Sequence, residues 1–226
     1  MAGRIVLVTG ANGGLGTSIT EAFLQAGMQV AGVSRSISDS DFKDPNFHAY
    51  AADITQPQPT RDVVQKIIAQ FGRIDILVHV AGGFAAARVH ETDDATWNKM
   101  RDLNLSSGFY VAREVIPVMR KQKFGRIVAI GSLAAVEPHA ALGAYASFKS
   151  ALAMLFRTIA IENQGAGITS NVILPGTMDT PANRAAMPKA DPSKWVQPAD
   201  VAKLVLWLIR DDAAQVNGAL LSISSE

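Results

Sequence analysis

Cysteine is absent from all 226 residues. Disulfides, thiolate nucleophiles and thiolate metal sites are therefore excluded, and a reducing compartment is permitted. Histidine is scarce. His48, His79, His90 and His139 are the only four, none at a ligand spacing such as His-x3-His, so no metal site is expected. Charge is sparse and balanced: charged residues make up 18% and the formal net charge is +1. That balance gives no basis for binding nucleic acid or an anionic membrane. No run of ~18 apolar residues occurs, so no membrane span is expected. The N-terminus enters an apolar stretch at once (Ile5-Val6-Leu7-Val8), without the basic segment, apolar core and cleavage site of a leader. A cytoplasmic protein is the expectation.

What is present is a chain 48% hydrophobic, long enough for one sizeable domain over residues 1–226. Short β-branched runs at Ile5–Thr9, Gln29–Ser34, His48–Ala51, Ile74–Val80, Arg126–Gly131, Thr169–Leu174 and Ala219–Ile223 read as strands. Helical patterns lie between them at 15–25, 59–70, 94–122, 144–163 and 198–210. Apolar strands without alternation suit a parallel sheet covered on both faces. The alternation of strand and helix predicts an α/β doubly wound sheet of seven parallel strands. Two proline-rich patches, Pro57-Gln58-Pro59 and Pro175–Pro198, read as loops. The second follows a strand's carboxyl end, where open α/β sheets bind ligands.

Tyr145-Ala146-Ser147-Phe148-Lys149 opens one of the apolar helices. Residues four apart share a helix face, with Cβ atoms roughly 5–6 Å apart. A phenol therefore stands beside an ammonium group. Free tyrosine titrates near pH ~10, and bringing it ~3 units lower takes ~4 kcal/mol of differential interaction. Lys149 is the cation that helical geometry places near enough to favour the phenolate. Taken alone, the pair also suits an aromatic packing residue and a snorkelling lysine.

Thr9-Gly10-Ala11-Asn12-Gly13-Gly14-Leu15-Gly16 follows the first strand and opens the first helix. Glycines let backbone turn tightly against a pyrophosphate. The helix N-terminus offers it unpaired N–H groups and partial positive charge. An ordinary glycine-rich turn would share these residues, but the strand–turn–helix context points to nucleotide binding. The second strand ends Ser34-Arg35, where an acidic residue would bind a ribose 2′-hydroxyl and an arginine a 2′-phosphate. Ser34 leaves no repulsion and Arg35 can pair with phosphate. NADP(H) is expected rather than NAD(H), although the loop holds Asn12-Gly13 and no basic residue.

Together these motifs identify the chain as resembling the short-chain dehydrogenase/reductase family over nearly its whole length. The family's TGxxxGxG matches Gly10, Gly14 and Gly16, and its YxxxK matches Tyr145 and Lys149. Its serine thirteen residues before the tyrosine matches Ser132, and its asparagine on the preceding long helix matches Asn104. Its proline-glycine after the sixth strand matches Pro175-Gly176, followed by Thr180. The resemblance implies a Rossmann-like, three-layer α/β/α fold and hydride transfer from the nicotinamide to a carbonyl carbon. Tyr145 would then be the general acid. Ser132 would hold the developing oxyanion. Lys149 would lower the tyrosine pKa and bind the nicotinamide ribose. Asn104 would hold a relaying water, or else simply kink its helix.

By the same resemblance, Gly13 and Leu15 complete the pyrophosphate loop. Asp53 and Ile54 receive the adenine, although Asp53 would also serve as a helix cap. Ala81, Gly82 and Gly83 approach the ribose. Pro175, Gly176 and Thr177 meet the carboxamide, and Thr180 the pyrophosphate. One departure stands out. Where the family commonly has Asn-Asn-Ala-Gly, this chain has His79-Val80-Ala81-Gly82-Gly83-Phe84, similar to the turn of dihydropteridine reductases. His79 reads as a satisfied strand-end histidine. Phe84, Met178 and Met187 are expected to line the substrate pocket, with Ala182, Ala186 and Trp195 in a short lid at about 177–197. His139 either joins that lining or lies in solvent. Surplus apolar faces, Val111, Val115, Val118 and Met119 on one helix and Ala151, Met154, Leu155 and Thr158 on the next, imply burial against partners. Similar proteins pair these helices, so a homotetramer is expected, with a dimer next. The reading is an NADPH-dependent carbonyl reductase acting on a ketone, aldehyde or 3-oxoacyl compound. A pteridine or quinonoid reductase, and a non-catalytic NADP(H)-sensing regulator, are the alternatives.

Overall fold

The structure is a computed structural model that describes residues 2–224. Seven parallel strands form one sheet in the order β3-β2-β1-β4-β5-β6-β7. They are β1 (Ile5–Thr9), β2 (Gln29–Ser34), β3 (Phe47–Ala51), β4 (Ile76–His79), β5 (Gly125–Ile130), β6 (Ile168–Pro175) and β7 (Leu220–Ile223). The order reverses direction between β1 and β4, so a crevice opens at the carboxyl ends of those two strands. The helices are α1 (Gly14–Gln25), α2 (Pro57–Phe71), α3 (Asp94–Arg101), α4 (Ser107–Gln122), α5 (Gly143–Glu162), α6 (Pro181–Ala186) and α7 (Pro198–Leu208). No helix among the described residues is long and apolar enough to cross a membrane.

Side chains alternate across a strand, so each strand feeds two cores. Val6, Val8, Ile76, Val78 and Val128 pack against Ile19 and Phe23 of α1 and Val201 and Val205 of α7. Leu7, Leu77, Ile127 and Ala129 pack on the other face against Val64 and Ile67 of α2, Val111, Val115 and Met119 of α4, and Phe156 of α5. Burial on both faces is why the strands read as continuous apolar runs.

Three departures from the sequence reading have local causes. First, β4 is shorter at both ends. The Asp75 carboxylate accepts from Ile5 N at 2.9 Å, and Val80 N donates to the Thr9 hydroxyl at 3.1 Å in place of a ladder carbonyl. Second, the expected helix 94–122 is broken by a π-helical turn at Asp102–Ser106 that carries Asn104. Third, α6 occupies part of the expected loop. Thr180 caps it, accepting from Asn183 N at 3.3 Å, and Pro181 takes the first helical position. That pairing is a helix-start signal the sequence reading passed over.

The apolar surplus on α4 also needs correction. Val111, Val115 and Met119 are almost fully buried in the chain's own core. They spend their apolar area on the sheet and supply no argument for a partner.

Candidate active site

The residues expected at the site are carried to one end of the sheet by different elements. Ser132 follows β5 and opens a short turn at Leu133–Ala135, where its oxygen accepts from Ala134 N at 3.2 Å. Tyr145 and Lys149 lie in the first turns of α5. The Ser150 hydroxyl donates to Ala135 O at 2.6 Å, with Ala146 O a second acceptor in reach at 2.9 Å, pinning the Ser132 turn to that helix. Sequence reasoning missed Ser150. Its signal was proximity to the YxxxK pair, but only the fold shows the acceptor it reaches.

Ser132 lies close enough to Tyr145 for its hydroxyl to favour the phenolate. The phenol is nevertheless held above its ordinary pKa, because burial outweighs the lowering effect of Ser132. This is opposite to the direction expected from the YxxxK pair. The ammonium lies 6.0 Å from the phenol ring centroid. Lys149 Nζ instead donates to the Ile130 carbonyl at 2.9 Å. Lys149 is buried, and loss of solvation lowers its pKa to about 8. It therefore remains mostly protonated at neutral pH.

Asn104 is fully buried and clamps the turn after β4 from both sides. Its Nδ2 donates to Gly83 O at 2.9 Å and to Met100 O at 3.1 Å, while its Oδ1 accepts from Gly83 N at 3.2 Å. A methyl group added to Gly82 would come within 3.0 Å of Asn104 Oδ1 and 3.2 Å of Lys149 Nζ. The turn, Asn104 and Lys149 thus meet at one point. Thr9 supports the same turn from below, its hydroxyl accepting from Val80 N and Ala81 N (3.1 and 3.2 Å).

The glycine loop lies across the crevice. Gly10 has φ +66°, and a side chain at Gly16 would collide with the Gly10 carbonyl. Gly13 is the N-cap of α1 and has no side chain to satisfy the first N–H groups, including those of Gly14 and Leu15. An uncapped helix start with no acidic residue in its first turn suits an anionic group. Thr180 closes over it, with its Cβ 3.0 Å from where a Gly14 side chain would begin. The loop and Thr180 therefore fit a dinucleotide's pyrophosphate.

Beyond the loop, Ser34 is half-buried, and Arg35 is exposed without a charged or hydrogen-bonded partner among the described residues. Asn12 Nδ2 reaches over to Ser36 O (2.6 Å) and to the Asp41 carboxylate (3.0 Å). Asp53 spends one carboxylate oxygen on Thr55 N and Oγ1 (3.0 and 2.7 Å), holding a local turn before α2. Ile54 is buried in the core beside Leu7 and Val33. Gly176 N donates to Ile223 O at 2.9 Å, joining the Pro175-Gly176 turn to the last strand, while Thr177 is exposed.

The pocket residues divide. The Phe84 ring stands edge-on to Tyr145, with centroids 5.1 Å apart, and is 63% exposed. Met187, Ala182, Ala186 and His139 are exposed. Trp195 is buried, and Met178 packs against the α1 and α7 core.

The model of the family described as short chain dehydrogenase matches residues 4–191. The chain is 32% identical to the 3-oxoacyl-[acyl-carrier-protein] reductase FabG of Escherichia coli, over 98% of this chain and 96% of that one. It is 30% identical to the 2-dehydro-3-deoxy-D-gluconate 5-dehydrogenase of Pseudoalteromonas atlantica, over 98% of this chain and 94% of the relative. The structure of ElxO with NADP bound superposes with a TM-score of 0.92 at 26% identity, covering 98% and 97% of the two chains.

Proposed function

The chain belongs to the short-chain dehydrogenase/reductase family and is an NAD(P)-dependent oxidoreductase, and on that premise we propose that it uses NADPH to reduce a carbonyl compound to an alcohol. The observation that carries this reading is the meeting of Ser132, Tyr145, Lys149 and Asn104 across from the glycine loop, at the crevice where the strand order reverses. Relatives that reduce 3-oxoacyl groups and a neighbour solved with NADP support it.

NADPH, when bound, supplies the hydride to the carbonyl carbon. The uncapped start of α1 and Thr180 hold the pyrophosphate. Arg35, with no partner among the described residues, receives the 2′-phosphate, and Ser34 adds no opposing charge. Asp53 and Ile54 border the adenine. Ala81, Gly82 and Gly83 admit the ribose, and Pro175, Gly176 and Thr177 the carboxamide. Tyr145, kept protonated by burial, delivers its proton to the carbonyl oxygen. Ser132 donates to the same oxygen and stabilises the charge that develops there. Lys149 keeps a positive charge beside the phenol as its proton leaves. Asn104 holds the turn against Lys149.

Residues 177–197 act as the substrate lid in this reading, with Met187 and the exposed Phe84 facing the substrate. The edge-on contact of Phe84 with Tyr145 favours a second substrate class, a planar cyclic carbonyl such as a pterin or quinone. Assembly as a homotetramer, or next a dimer, would cover the exposed Phe109, Met154 and Ile161 of α4 and α5.

The deciding experiment assays ketones, 3-oxoacyl thioesters, quinones and dihydropterins with NADPH and NADH, in the natural chain and in Tyr145→Phe. Turnover of at least one class with NADPH, lost in the variant while NADPH still binds, is the expected result. Undiminished turnover by the variant would end the assignment. A non-catalytic regulator would bind NADPH in both chains and consume it in neither.

A further inference from the structure

One buried titratable group has no part in that chemistry. His79 ends β4, is fully buried, and stacks on Phe156 at 6.1 Å between ring centroids. Its Nδ1 lies 3.0 Å from the Thr9 hydroxyl, and its Nε2 lies 3.4 Å from the Ser107 hydroxyl.

The proton positions follow from counting partners. The Thr9 oxygen already accepts from Val80 N and Ala81 N. A hydroxyl has two acceptor positions and one proton, so Thr9 can only donate to His79, and Nδ1 must be bare. A neutral ring then carries its proton on Nε2, which donates to Ser107. The Ser107 hydroxyl donates onward to Leu103 O at 2.9 Å. A directed chain therefore runs from Thr9 through His79 and Ser107 to Leu103. Leu103 belongs to the π-helical turn that also carries Asn104. At the other end, Thr9 supports the turn whose Gly83 is clamped by Asn104.

We infer that His79 is a positioning residue, which in its Nε2-protonated form ties the cofactor-facing turn at Val80–Gly83 to the π-helical turn bearing Asn104. No shorter side chain spans both contacts. Asparagine places an acceptor where Nδ1 lies but stops short of Ser107. Glutamine places a donor where Nε2 lies but gives up the Thr9 acceptor. The inference rests on the proposed hydride transfer only for its effect on rate. The tautomer and the linkage stand on their own.

The test has two parts. Nitrogen-15 spectra of the natural chain should show His79 Nδ1 bare, Nε2 protonated and no titration between about pH 5 and 8. A protonated Nδ1, or a ring that titrates in that window, would overturn the inference. In the second part, His79→Asn and Ser107→Ala should each lower kcat about tenfold, with the NADPH dissociation constant within about twofold of the natural value. Their combination should fall no lower than either alone, since both cut the same link. His79→Gln should show the reverse split, with kcat nearly kept and NADPH bound about tenfold more weakly. Losses that multiply in the double variant, or that track only a lowered unfolding midpoint, would make His79 a packing residue and overturn the inference. If the natural chain reduces nothing, the proposed function fails, and the spectra still decide the tautomer.

Discussion

The two halves of the nucleotide crevice are built on opposite terms. On the side of Ser132, Tyr145 and Lys149, the half-buried serine and phenol lie beside buried polar groups that are each committed to named partners. Lys149 bonds Ile130 O, Asn104 brackets Gly83, and His79 bridges Thr9 and Ser107. On the other side, Ser34 is half-buried, and Arg35 is exposed with no partner among the described residues. Burial makes the first half rigid and shifts its pKa values. Exposure leaves the second half screened and adjustable. The difference teaches that chemistry and nucleotide preference are separable here, because one depends on desolvated geometry and the other on a surface charge.

Substitutions on the two sides should therefore fail in different ways. Tyr145→Phe is expected to cut kcat about a thousandfold, within the range for losing a general acid, with NADPH binding retained by equilibrium titration. Parallel loss of NADPH binding would mean the halves are not separable. Ser132→Ala should cost about a hundredfold in kcat, as for the loss of one oxyanion donor, again with little change in the cofactor's KM.

A stability measurement sharpens the buried side. His79 falls from its ordinary 6.5 to about 3, first through burial and then through the nearby charge of Lys149. Between those values the unfolded chain binds the extra proton, so stability drops as pH falls through that window. The slope is about 1.4 kcal/mol per pH unit from this group. His79→Asn should flatten that slope in urea unfolding across the window, and an unchanged slope would place the acid sensitivity elsewhere. The smallest effect belongs to the exposed side. Arg35→Ala should raise the KM for NADPH about tenfold while leaving that for NADH nearly unchanged. Equal effects on both would remove Arg35 from the 2′-phosphate.

Much of this comparison was legible before the fold. The strands were readable because burial on both faces leaves unbroken apolar runs, and the YxxxK pair because helical spacing puts both side chains on one face. The glycine loop was readable because Gly16 has no room for a side chain against Gly10. Other features were not legible. The helix pattern over 94–122 gave no sign of the π-helical turn beyond the kink offered as an alternative at Asn104; the turn is held by contacts from Asn104 to Gly83 and from Ser107 to Leu103. The direction of the Tyr145 shift was misjudged, because spacing reveals a neighbouring charge but not how much solvent the phenol loses. Val111, Val115 and Met119 read equally well as a partner's contact, because an amphipathic stripe does not say which surface it covers; they cover the chain's own sheet.

Local order along the chain was enough to determine the sheet, its crossovers and the residue types at the crevice, since those follow from hydrophobic period, turn chemistry and fixed spacing. The tertiary structure alone decided how much solvent Tyr145 and Lys149 lose, which nitrogen of His79 carries the proton, and whether Lys149 faces the phenol or a backbone carbonyl. Those outcomes depend on atoms far apart in sequence, brought within hydrogen-bond reach and out of water only when both faces of the sheet are covered.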